Sequence, residues 1–167
     1  MKTLFKITGA LLRSIRADLR RRHAFAHERV GFITAGLAAA GDDIMILARS
    51  YWPVADEDYL RDPSVGAMMG PAAIRKALQR AMAEGEALLH VHTHGGSGIP
   101  GFSGVDVREN AKFVPDFFKV APQCLHGAIV LSDTAANGQI WLAKDRPPIA
   151  VDRFVEVGAP LKKWGRA

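Results

Sequence analysis

Between residues 90 and 106 the chain reads HVHTHGGSGIPGFSGVD, with His90, His92 and His94 at alternate positions and Ser103 and Asp106 closing a glycine-rich run. Alternation puts the three imidazoles on one face of an extended strand. Two neutral imidazoles on that face, joined by a carboxylate brought back by the loop, supply the three ligands a catalytic zinc uses and leave a fourth position for water. The glycines give the loop little bulk, so it can fold tightly and return Asp106 to the histidines. Ser103, three residues before Asp106, reads either as a helix N-cap or as a hydroxyl aimed into the site, and one residue can serve both ends. A lone His-x-His is also common in a structural or exposed setting, so the loop and its carboxylate carry the argument for a metal.

These groups need elements to hold them. ALLHVHTH, 87–94, reads as a strand. Ahead of it, a helix starts at Pro71 and ends near Gly85, with Ile74, Ala77, Leu78, Ala81 and Met82 on one face to lie against a sheet. Behind it, DVRENAKFVPDFFKVAP, 106–122, reads as a helix that kinks or breaks at Pro115. Upstream, TLFKIT at 3–8 reads as a strand leading through Gly9 into an amphipathic helix, whose Leu11, Leu12, Ile15 and Leu19 oppose the arginines of RSIRADLRRRH, 13–23. RVGFITAGL, 29–37, and DIMILARSYW, 43–52, form a hairpin across AAAGDD. The 53–70 segment, polar and broken by Pro and Gly, reads as a loop or irregular insertion. LHGAIVLSD and QIWLAKD form a second hairpin, PIAVDRFVEVG a strand or short helix, and a basic tail ends the chain. Hairpins with helices between them imply an α+β, three-layer α-β-α fold with a mixed sheet, built as one domain over 1–167.

Composition narrows the setting. With 49% hydrophobic and 23% charged residues over 167 positions, the chain reads as a globular domain with a sizeable core. The net charge of +5 permits nucleic-acid binding, but the arginines collect on one helix face, which reads as a solvated surface, and no nucleic-acid partner is expected. Cys124 is the only cysteine, which excludes an internal disulfide and a cysteine-based zinc site and suits a reducing, cytoplasmic setting. Cys124, Trp52 and Trp141 read as core residues. Lys6 interrupts the first apolar run, against a signal peptide, and no run approaches the roughly 18 to 20 apolar residues of a membrane span. Other metal chemistries lack parts: zinc deaminases pair H-x-E with P-C-x-x-C, His-rich barrels need roughly 200 residues or more, and no glutamate follows the histidines before Glu109.

His92-x-His94, the short loop and Ser103-x-x-Asp106 together resemble the JAMM motif of the JAB1/MPN/Mov34 metalloproteases, H-x-H, seven residues, then S-x-x-D. That family also carries an upstream glutamate, often as E-x-x-G, and Glu28-Arg-Val-Gly31 stands in that place. The order of elements agrees over roughly residues 3 to 145. Two departures stand out: eight residues separate His94 from Ser103, and Gly95 replaces the usual proline. A glycine-rich loop absorbs an extra residue as a bulge; Ser97, the other serine in reach, lacks the S-x-x-D spacing.

The resemblance implies an MPN/JAB-like, cytidine deaminase-like mixed sheet flanked by helices. It implies one Zn2+ per chain on His92, His94 and Asp106, with Glu28 as proton shuttle and Ser103 as donor to the oxyanion. His90 has no counterpart among the family's ligands and is expected to line the groove or support a ligand. The implied activity is that of a bacterial, deubiquitinase-like isopeptidase acting on ubiquitin-like conjugates, in a setting such as an antiphage operon that also encodes activating and conjugating enzymes. A processing peptidase for a ubiquitin-like or sulfur-carrier precursor is the alternative enzyme, and a protein-binding scaffold with a vestigial site the alternative of another class. Asp56, Glu57 and Asp58 are expected to attract a basic substrate tail laid along the 53–70 insertion.

Overall fold

The structure is a computed structural model that describes residues 1–158 and 162–164. Its strands, in chain order, are β1 (Thr3–Thr8), β2 (Val30–Ala40), β3 (Asp43–Pro53), β4 (Tyr59–Leu60), β5 (Met68–Met69), β6 (Ala87–Thr93), β7 (His126–Leu131), β8 (Ala136–Trp141), β9 (Ile149–Ala150), β10 (Arg153–Val157) and β11 (Lys162–Trp164). Nine of them form one sheet in the order β11-β10-β1-β3-β2-β6-β7-β8-β9, while β4 and β5 pair apart. The sheet is mixed. β1 runs parallel to β3 and β10, and β6 parallel to β7, whereas β2 is antiparallel to both β3 and β6.

Helices cover both faces. α1 (Gly9–Leu19) starts at Thr8, whose Oγ1 accepts from Leu11 N, and buries Leu12, Ile15 and Leu19. They join Phe5, Ile7, Ile33, Ile46, Leu89 and Val91 in one core. On the other face α2 (Pro71–Glu84), α3 (Gly104–Phe113) and a 3-10 turn (Val114–Lys119) cover Val30, Phe32 and Leu88. The result is the three-layer α+β architecture expected from the sequence. Among the described residues no helix is long and apolar enough to cross a membrane.

Two sequence expectations need correction. Helix α2 begins at Pro71 and is capped by Gly85 at φ 60°, as expected, but its buried stripe is Ala73, Ala77 and Ala81. Small residues let the helix approach the sheet closely, so the larger Ile74 and Leu78 sit at its flanks and Met82 is 63% exposed. Trp141 is buried, but Trp52 is not a core residue: it lies at the surface with the Arg80 guanidinium 3.4 Å above its ring. Elsewhere agreement is close. Pro115 ends α3 and tightens the chain into the 3-10 turn, and Cys124 is buried, its Sγ 3.1 Å from Gly85 O. The insertion at 53–70 holds only a 3-10 turn (Asp56–Asp58) and the β4-β5 pair. PIAVDRFVEVG forms β9 and β10. Part of the basic tail, residues 159–161 and 165–167, lies outside the described residues.

Candidate metal centre

β6 is a central strand, so both of its faces are covered and its residues are nearly all buried. Ala87, Leu89 and Val91 enter one core, which leaves Leu88, His90 and His92 on the face beneath α2 and α3. His94 follows the strand, held by a hydrogen bond from its N–H to Leu131 O (2.9 Å). The loop beyond turns on Gly96 and Gly98, whose φ of 92° and 85° lie in the left-handed region that other residues resist. Groups of the β7-β8 turn and of β8 tie it down: Ser132 Oγ donates to Gly98 O (2.6 Å), Thr134 Oγ1 accepts from Gly98 N (2.9 Å), and Asn137 Nδ2, in β8, donates to Pro100 O (3.1 Å). These anchors went unnoticed in the sequence, where a Ser, a Thr and an Asn in or beside a hairpin turn look like ordinary turn residues.

The loop delivers Asp106 to the histidines. His92 Nε2 and His94 Nε2 stand 3.2 Å apart, with His92 Nε2 3.4 Å from Asp106 Oδ1 and His94 Nε2 3.4 Å from Asp106 Oδ2. Donors about 2.0–2.1 Å from a tetrahedral zinc are separated along the tetrahedron's edges by about 3.3–3.4 Å. Each separation is close to that edge length, and the three residues offer donor atoms that all lie within 4.8 Å of one another, near enough to share one metal ion. Two imidazole Nε2 atoms facing each other beside one carboxylate need a cation or a shared proton between them, and a donor set of two imidazoles and a carboxylate can hold a divalent metal ion. His92 is buried, and its Nδ1 makes no hydrogen bond. Burial opposes ionisation of Asp106, but contacts with His92 and Ser103 outweigh it and hold the carboxyl below the usual carboxylate range. The carboxylate is thus in the form that binds a metal.

Glu28 lines the same cavity, of about 540 Å³, as His90, His92 and Asp106. It sits just before β2, and the Gly31 of its E-x-x-G pattern has a local cause: a β-carbon there would fall 2.4 Å from the Tyr51 ring. Ser103 is the N-cap of α3. Its Oγ accepts from Asp106 N (3.1 Å) while its own N–H donates to Asp106 Oδ2 (2.7 Å), a reciprocal capping box. The hydroxyl is exposed, and accepting that bond leaves its proton free to donate.

His90 does not join the converging ligands. Its ring stacks on that of His92 at 5.4 Å and meets Phe113 edge-on at 5.2 Å. Burial, with the neighbouring His92 adding to it, pushes its pKa down to about 3, so it is a neutral imidazole under the site. Asn110, equally buried and alongside it, was not singled out in the sequence.

The three acids of the insertion divide. Asp56 pairs with the buried Arg29 and lies 3.9 Å from Arg21. Asp58 is buried and bonded to Lys76 at 2.5 Å. Glu57 is exposed. The turn is therefore largely engaged within the chain: Asp56 is solvated but paired, and Glu57 alone offers the solvated carboxylate, unpaired among the described residues, that the sequence led us to expect of all three.

No protein-family profile matches the chain, and no curated protein does. Among solved structures it is similar to the Trichoplax adhaerens STIL N-terminal domain, at 12% identity and a TM-score of 0.38, over 82% of this chain and 40% of that one. The chain thus spans less than half of that structure, and so loose a likeness carries no argument about fold or function.

Proposed function

We propose that this protein is a zinc-dependent isopeptidase that cuts after the C-terminus of a ubiquitin-like protein. One observation carries the reading: the donor atoms of His92, His94 and Asp106 converge to within 4.8 Å of one another, and His92 and Asp106 line a cavity that also presents Glu28. The resemblance of this residue order to JAMM peptidases supplies the substrate class.

A metal held by the three ligands supplies a Lewis acid that acidifies water and polarises a carbonyl. Glu28 takes the proton from the attacking water and passes it to the leaving amine. The Ser103 hydroxyl, freed as a donor by its capping role, bonds the oxyanion. Asp106 holds its orientation through the capping box, so the loop, the helix start and the ligand are fixed as one unit. His90, itself met edge-on by Phe113, backs the His92 ring and keeps water from its buried side.

The test is to incubate the full chain, with and without a chelator, with ubiquitin aminomethylcoumarin amide and with peptide- and isopeptide-linked fusions of ubiquitin-like proteins encoded beside it. Chelator-sensitive cleavage at the terminal glycine supports the proposal. Cleavage of linear precursors alone would make it a processing peptidase. A native protein free of zinc and inert towards every fusion would leave a binding scaffold. His92→Ala and His94→Ala are each expected to lose zinc and cleavage together, because two remaining protein ligands hold the metal poorly; full zinc occupancy in the double variant would overturn the site. Glu28→Gln should retain zinc and lose most turnover, since an amide shuttles no proton.

A further inference from the structure

We propose that Gly66 is a positioning residue for Glu28, so that the 53–70 insertion sets where the proton shuttle stands. The inference rests on the reading of Glu28 above. The chain entering β2 is tied to the insertion at successive residues. His27 N and Glu28 N both donate to Gly66 O, at 2.8 and 3.0 Å. Arg29 pairs with Asp56, Val30 N donates to Tyr59 Oη at 2.8 Å, and Val30 O accepts from Val54 N at 3.1 Å. The Glu28 side chain folds back over the residue that holds its own backbone: a β-carbon at Gly66 would stand 2.5 Å from Glu28 Cδ and 2.6 Å from Oε2. Gly66 has no positive φ, so its backbone does not itself require glycine. What requires the missing side chain is the carboxylate. Asp62, Ser64, Val65 and Ala67 line the cavity beside Glu28, so the segment that would contact a substrate also holds the base.

Gly66→Ala tests this directly. The obstructing group is the end of a flexible side chain, so the fold is expected to survive and the carboxylate to move. A crystal structure of the zinc-loaded variant, which needs no substrate, should show Glu28 Cδ shifted from the 2.5 Å it would have from the new methyl to a contact of 3.4 Å or more. Turnover of whichever fusion is cleaved should fall about 100-fold, with KM and zinc content kept, because a misplacement of about 1 Å costs that much. In Glu28→Asp, whose carboxylate is drawn back by one methylene, Gly66→Ala should cost about tenfold less than it does in the parent. If Gly66→Ala destabilises the chain, the melting loss should vanish on the Glu28→Ala background. An unmoved carboxylate, parental turnover, or an equal loss on every Glu28 background would overturn the positioning role. Normal turnover in Gly66→Ala with loss in Glu28→Gln would sink this inference alone; normal turnover in Glu28→Gln would sink the proton-shuttle reading beneath it.

Discussion

Two demands meet on the oxygen of Ser103, which accepts from Asp106 N as a cap and, in the proposed reaction, donates to an oxyanion. Substitutions separate them. Ser103→Ala removes both, and is expected to lower stability by about 1 kcal/mol and turnover by about 100-fold. Ser103→Asp restores an acceptor for the helix start but cannot donate, so urea denaturation should recover toward the parent while turnover stays low. Recovery of turnover in Ser103→Asp would exclude the hydroxyl from the chemistry. The acids of the insertion divide in the same manner. Asp56→Asn leaves the buried Arg29 without its anion and should lower stability by about 1–2 kcal/mol, discounted because Asp56 is itself half exposed. Glu57→Gln should leave the melting temperature unchanged and, if a basic tail lies there, raise KM at low salt. An Asp56→Asn melting curve equal to that of Glu57→Gln would show that the pairing with Arg29 contributes nothing.

β6 and β7 are joined at one end by His126, a residue outside the metal centre. Its Nδ1 accepts from Leu88 N (3.1 Å) and its Nε2 donates to Ala121 O (3.0 Å), which fixes a neutral ring with the proton on Nε2. Burial lowers its pKa from the ordinary 6.5, against the opposing pull of the two backbone contacts. The unfolded chain therefore binds more protons than the folded one between the ordinary and the lowered value. The stability that His126 contributes is present above about pH 6.5 and is lost as the pH falls through that window, at up to about 1.4 kcal/mol per pH unit. Urea midpoints measured from pH 7 to 5 should fall, and part of that slope should be absent in His126→Gln. An unchanged slope in the variant would show that His126 is not the residue being protonated.

At the scale of the molecule, two cores pack on either side of a nine-stranded sheet, and the candidate metal joins only a strand end to a helix start. The fold should thus persist without metal. Chelation is expected to leave the far-ultraviolet spectrum intact, and zinc at 100 times its dissociation constant to add about 2.7 kcal/mol; unfolding on chelation would mean that the site builds the fold rather than resting on it. The hairpins, the helix starts at Gly9 and Pro71 and the break at Pro115 were legible in the sequence because each follows from local chemistry: alternation, capping and the missing N–H of proline. His92, His94 and Asp106 were legible for the same reason, since a strand and a short glycine loop bring them together within fifteen residues. What the sequence could not determine depends on distant chain. The Asp56 and Asp58 carboxylates look free until the chain entering β2 brings Arg29, and α2 brings Lys76, against them. Met82 shares a helical face with Ala81 in projection, yet close approach of α2 to the sheet selects the alanines and leaves Met82 in solvent. Gly66 is one glycine among sixteen until the fold lays Glu28 across it. Local periodicity fixes which face a residue is on, but only tertiary packing decides what stands opposite that face and how near.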